Sequence, residues 1–222
     1  MAPTTLSQLT QPFAQDYDLH DPGLTSEGEE QCRKLHENLK KRFSDVNPSD
    51  IAVIVSPMRR TIQTALIGLD FLLQQGVRFV ADADWQETTS KPCDTGSDIA
   101  TLKSEFPAID FSTLDPVFPD KTSDAGKPYE WGRTALLARG VRARENMRTR
   151  PEKWVIVVSH SGFLRQAVSG WWYFNADYRI FDFVEDESEE TGLKLREETN
   201  EGGMGWSWYK RVQLGEGIKG AE

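Results

Sequence analysis

Short apolar runs alternate along the chain with longer stretches in which apolar residues recur every three or four positions. Cys32, Leu35, Leu39 and Phe43 fall at the longer spacing and predict one amphipathic helix. Thr25 or Ser26 can cap it. Glu27, Glu29 and Glu30 then stand in the first turn, where carboxylates suit the helix dipole, and Asn47-Pro48 marks its exit. The run Ile51–Val55 reads as a buried strand, residues 57–73 as a helix ending at Gly76, and residues 77–80 as a strand running towards Glu87. A short helix is expected over 97–106 and a long one over 129–148, closed by Pro151. Trp154–Val158 is the most strand-like segment, followed by a helix over 162–172; strand character returns at 178–184, 194–198 and 206–212. The acidic stretch 185–190 reads as a solvated turn. Strands alternating with helices predict an α/β fold with three layers, a mostly parallel sheet covered on both faces.

Neither repeats nor low-complexity linkers divide the chain, so residues 1–222 are expected to form a single domain. Within it, residues 1–19 are an atypical start, 107–127 a Pro-, Asp- and Gly-rich insertion across one edge, and 213–222 a tail. A chain of this length buries roughly 70–75% of its unfolded surface and requires no metal or disulfide staple. The net charge of −9 argues against nucleic acid and acidic membranes as partners, since both need broad basic surface. No apolar run approaches the ~20 residues of a membrane span, and residues 1–11 lack a signal-peptide pattern. The expected location is the cytoplasm. Large aromatics such as Trp171, Trp172, Trp206 and Trp208 are read as core.

Chemistry concentrates at two junctions, each an apolar strand turning into a helix: Ser56-Pro57-Met58-Arg59-Arg60 and Ser159-His160-Ser161-Gly162. Such turns put a side chain and free helix N–H groups at the carboxyl edge of a sheet, where anions bind. Arg60 suits an anion contact, while Arg59 faces solvent or the pocket rim. His160 suits electrostatic contact with a transferring phosphoryl group, and Gly162 lets backbone approach the ligand. Phosphate-ester cleavage also needs an acid for the leaving oxygen; Glu87 is the candidate, with Asp82, Asp84 and Asp94 as alternatives. Other signatures are missing: Gly-x-Ser-x-Gly, a P-loop, Gly-x-Gly-x-x-Gly and Cys-x5-Arg, since Asn38 and Ile99 stand six residues after Cys32 and Cys93. The three histidines are scattered, so neither metal nor cofactor is expected.

The segments Leu24-Thr25-Ser26-Glu27-Gly28, Ser56 to Ala65, Trp85-Gln86-Glu87-Thr88 and Ser159 to Gly162 resemble the histidine phosphatase (phosphoglycerate-mutase-like) superfamily. Pro92-Cys93-Asp94-Thr95-Gly96 looks like a feature of its fungal relatives. The resemblance implies a phosphoglycerate-mutase-like fold, Arg60 and His160 on the phosphate, and Glu87 as proton donor. Arg59, Thr25, Ser161 and Gly162 are further pocket candidates; Ser161 departs from the family's usual His-Gly-Gly. Members carry their nucleophile in an Arg-His-Gly element ten to twenty residues before Leu-Thr-x-x-Gly, on a strand beside that of the second histidine. Residues 9–18 contain neither histidine nor arginine, which makes that first strand missing or degenerate. His20 is poorly placed to replace the nucleophile, and His36 is expected at the surface. The expected function is therefore handling of small phosphate esters, with hydrolysis impaired and a small phosphorylated or acidic metabolite as partner. Two alternatives stand: an active phosphatase whose N-terminal segment was lost to splicing or a faulty gene model, and a repurposed protein binding an acidic metabolite or partner.

Overall fold

The continuous apolar run Ile51–Val55 forms β1, buried along its whole length, and its odd and even positions serve different cores. This computed structural model describes residues 17–185 and 191–218. The expected N-terminal features at residues 1–16 and most of the acidic turn lie outside the described residues. α1 (Ser26–Arg42) starts at Thr25, whose hydroxyl accepts from the Gly28 N–H. α2 (Arg59–Gly68) follows β1, then α3 (Asp70–Gln74), β2 (Phe79–Ala81), α4 (Ile99–Glu105) and β3 (Ile109–Asp110). α5 (Arg133–Arg148), β4 (Trp154–Val158), α6 (Ser161–Phe163), β5 (Phe181–Phe183) and β6 (Leu193–Leu195) complete the order.

The main sheet runs β3-β2-β1-β4 with every pairing parallel, and β5 pairs antiparallel with β6 in a separate ribbon. Successive strand residues point to opposite faces. Ile51, Val53 and Val55 accordingly pack with Leu35, Leu39, Ile62 and Leu69, while Ile54 packs with Leu136, Phe163 and Ala167. Helices therefore cover both faces, which yields the three layers expected of an α/β fold. Among the described residues no helix is long and apolar enough to cross a membrane.

Four local expectations are corrected. The helix over 57–73 breaks at Leu69 (φ −126°, ψ 15°), a bend that returns Leu69, Phe71 and Leu72 to the core. The helix after His160 is α-helical only to Phe163; Leu164–Val168 is a π turn in which Ser169 N donates to Leu164 O at 2.8 Å. The element ends at Val168, which leaves the Ala167 carbonyl without a helical partner, and the buried Arg144 guanidinium donates to it at 2.5 Å. Gly140 makes the approach possible, because a Cβ there would lie 2.0 Å from the same oxygen. Residues 206–212 form no named strand, only one bridge between Trp171 and Arg211. Trp171, Trp172, Trp206 and Trp208 are not core: Trp172 stacks on Trp208 at 4.8 Å, and Trp208 is 67% exposed.

Segment 107–127 contributes more than an edge crossing, since it contains β3 and buries Phe111, Leu114 and Phe118. His36 is also unlike its expectation. It is half-buried with Nδ1 2.8 Å from Asp70 Oδ1, edge-on to Phe71, so it ties α1 to α3.

Candidate functional site

β1 and β4 lie side by side in register, Val55 opposite Val158, so the residues that follow them emerge together at the carboxyl edge of the sheet. Ser56 N donates to Val158 O at 2.9 Å, extending the ladder one residue past β1. The Ser56 hydroxyl and His160 Nε2 are 2.8 Å apart, with both side chains buried. Burial, followed by the positive charges of Arg60, Lys121 and Arg139, holds the His160 imidazole well below its ordinary value, so the ring is neutral at neutral pH. Flanking serines fix the turn: Ser159 Oγ donates to Trp85 O and Ser161 Oγ to Tyr173 O, at 2.8 and 2.9 Å. Ser161 thus spends its hydroxyl on Tyr173.

The two arginines of the first junction part company. Arg59 pairs with Glu105 through two nitrogens, at 2.8 and 2.7 Å, and lies 3.8 Å from Asp21, so it ties α2 to α4. Arg60 turns to the loop after Glu87, donating to Cys93 O at 2.7 Å and to Asp94 Oδ1 at 3.5 Å. A guanidinium has five N–H donors, so among the described residues three remain for an oxyanion. The N-terminus of α2 is not open as the sequence suggests. Asp21 Oδ1 accepts from Arg59 N at 3.0 Å, its Oδ2 accepts from Ser97 N at 2.8 Å, and the carboxylate is wholly buried. An internal carboxylate already occupies the position an anion would take.

Glu87 closes the site opposite Arg60. A Cβ on Gly162 would lie 2.7 Å from Glu87 Oε1, which puts this carboxyl against the backbone two residues beyond His160. Burial, then the negative charge of Asp94, raises the Glu87 carboxyl above its usual range, with Arg60 opposing. A raised carboxyl keeps its proton to higher pH and can donate it. The other carboxylates have different employment. Asp84 forms a 2.5 Å ion pair with Arg142, Asp82 caps the turn at Asp84 N, and Asp94 accepts from Thr89 Oγ1 at 2.6 Å as well as meeting Arg60.

Three polar residues absent from the sequence reading shape the site: Asp21, Lys121 and Arg139. Lys121 is 3% exposed and reaches the Glu87 loop from segment 107–127. Arg139, on α5, is 1% exposed, lies 4.1 Å over the Phe163 ring, and makes no hydrogen bond through any of its nitrogens among the described residues. Burial lowers it to about 10, and Glu87 is the strongest charge holding it up. No local pattern marks these residues; their meaning comes from contacts more than twenty residues away in sequence. Among the sequence candidates, Arg60, Glu87, His160 and Gly162 converge, whereas Thr25 is the cap of α1 and Arg59 is held by carboxylates. His20 is exposed on the loop entering Asp21. No group of three His, Cys, Asp or Glu able to hold a metal occurs among the described residues.

Arg60, Lys121 and Arg139 all direct positive charge at the His160 ring. That charge favours an anion next to a neutral imidazole, beside a carboxyl able to give up a proton.

A protein of Schizosaccharomyces pombe named "Probable phosphatase" is 30% identical over 155 residues, covering 66% of this chain and 65% of that protein. "Phosphoglycerate mutase-like protein 2" of Arabidopsis thaliana is 26% identical, covering 68% of this chain and 58% of that protein. The chain thus spans less than two thirds of the length of either relative. Among solved structures, the ecdysone phosphate phosphatase from Bombix mori in complex with tungstate aligns with a TM-score of 0.45 and 20% identity, over 64% of this chain and 53% of that one. The family model of the histidine phosphatase superfamily (branch 1) matches residues 14–185. That span takes in both junctions and the Glu87 loop between them, and the chain belongs to the histidine phosphatase superfamily.

Proposed function

We propose that this chain binds the phosphoryl group of small phosphate esters between Arg60 and His160, with Glu87 positioned to protonate the leaving oxygen, and that phosphomonoester hydrolysis is impaired in these 222 residues. One observation carries the binding half: a buried, neutral imidazole bonded to Ser56, at which the charges of Arg60, Lys121 and Arg139 converge. Phosphatase and mutase-like relatives support the same substrate class. The impaired half rests on the histidines. A covalent route needs an imidazole in line with phosphorus, and losing the attacking group leaves only residual electrostatic catalysis. His36 is engaged with Asp70 and His20 is exposed on a loop, so neither accompanies His160 in the pocket. The cytoplasm remains the proposed location.

Calorimetric titration with inorganic phosphate tests the first half. Wild type binds, and Arg60→Ala binds about 10- to 100-fold more weakly, the worth of a charged hydrogen bond; equal binding by both removes the pocket from the account. Hydrolysis of p-nitrophenyl phosphate tests the second. Turnover at background level is expected, and robust turnover abolished by His160→Ala would establish an active enzyme in its place.

A further inference from the structure

Segment 107–127 sends one side chain into the site. The Lys121 ammonium donates to Glu87 O at 2.8 Å, Thr89 O at 2.9 Å and Asp94 O at 2.6 Å. An ammonium has three protons, and three carbonyls take them all. Lys121 therefore has no donor left for a ligand. What it holds is the loop 87–94, at both ends. Glu87 stands at one end, and at the other Cys93 O and Asp94 Oδ1 receive the Arg60 guanidinium.

We propose that Lys121 is a positioning residue that ties segment 107–127 to both ends of the 87–94 loop and so sets the separation of Glu87 from Arg60 across the anion pocket. The proposal rests on the reading of that pocket as a phosphate site. The lysine stands on a braced turn: the carboxylate of Asp120 accepts from Thr122 N at 2.9 Å and Ser123 N at 3.0 Å. Upstream, Phe111 and Phe118 are buried in the main core, and Tyr129 Oη donates to Asp115 Oδ2 at 2.7 Å. The anchor is thus fixed to the sheet independently of the loop it holds.

Charge couples the clamp to the pocket. Glu87 and Asp94 face the ammonium as acids, Arg139 and Arg60 as cations, and burial brings Lys121 down to about 7. An oxyanion settling beside Arg60 adds negative charge nearby and favours the ammonium form that donates to all three carbonyls.

Cys93 sits in the clamped loop and is half-buried, whereas the chain's other cysteine, Cys32, is 1% exposed, so alkylation reads the loop without any ligand. Lys121→Met keeps the length of the side chain and removes its donors. It should accelerate Cys93 alkylation at least about tenfold, with Lys121→Gln between it and wild type. Thr25→Ala, at the cap of α1 and in contact with neither the segment nor the loop, should leave the rate unchanged. In calorimetry at pH 7, Lys121→Met should bind inorganic phosphate about tenfold more weakly than wild type. A folded Lys121→Met with the wild-type alkylation rate overturns the clamp, as does equal acceleration by Thr25→Ala. If Lys121→Met does not fold, Lys121→Gln carries the same test, and a wild-type rate there is equally fatal. Failure of wild type to bind phosphate overturns the pocket reading instead, while the thiol rate still decides the clamp.

Discussion

The two strand-to-helix junctions at the site are stabilised in different ways. On the Arg60 side, β1 lies between β2 and β4, every one of its residues is buried, and α2 continues for ten residues with its N-terminus capped by the buried Asp21. On the His160 side, β4 is half-buried along its length and α6 lasts only three residues before the π turn. Side-chain hydrogen bonds add to the packing there. Ser56 meets His160, Ser159 meets Trp85, Ser161 meets Tyr173 and Arg144 meets Ala167. Hydrophobic packing is non-directional and tolerates small shifts, whereas hydrogen bonds fix angles but weaken steeply when strained. The guanidinium is thus aimed by a rigid scaffold, and the imidazole by a network that single polar substitutions can release.

Packing in the two arms can be set against each other directly. Val53→Ala in β1, which empties a fully buried site beside α2, should cost about 2–3 kcal/mol, and Val157→Ala in β4, half-buried on the His160 side, only about 1 kcal/mol. Urea denaturation of both variants measures the gap; equal losses would mean that the arms are packed alike. A second measurement concerns the cap that only the Arg60 arm possesses. Asp21→Ala leaves the Arg59 and Ser97 amides without their acceptor, costing about 2–3 kcal/mol. Thr25→Ala, at the exposed cap of α1, should cost about 1 kcal/mol. The smallest effect is a pH dependence. The folded Glu87 carboxyl is raised by burial, so it favours the fold below the usual carboxylate range and loses that contribution as pH rises through its elevated value. Glu87→Gln should therefore melt above wild type at neutral pH, with the difference vanishing in acid; a lower melting temperature at pH 7 would show that the carboxylate is welcome there.

The strongest sequence signals were local. The run Ile51–Val55, the Thr25 cap and the spacing of Cys32, Leu35 and Leu39 each stabilise their own element within a few residues, and the structure keeps all three. Arg60 and His160 were legible because each follows such a strand directly. Long-range polar pairings were not legible. Asp21 gains its meaning from Arg59 and Ser97, and Lys121 from carbonyls about thirty residues earlier, in a segment whose Pro, Asp and Gly content resembles any surface insertion. Trp206 and Trp208 misled for the opposite reason. Their size suggests a core, but Trp208 stacks on Trp172 and Trp206 meets the exposed Phe174 edge-on.

A π turn is geometrically an α-helix with one surplus residue. Excising a single residue from Leu164–Val168 would let the helix resume its ordinary pitch and would rotate everything downstream by roughly 100°. Trp171 and Trp172 would swing off their aromatic neighbours, and Tyr173 would leave the Ser161 hydroxyl. The surplus residue thus acts as an angular spacer: it sets the heading on which the chain leaves the imidazole, and shortening the protein there by one position should undo that heading while sparing the helix itself.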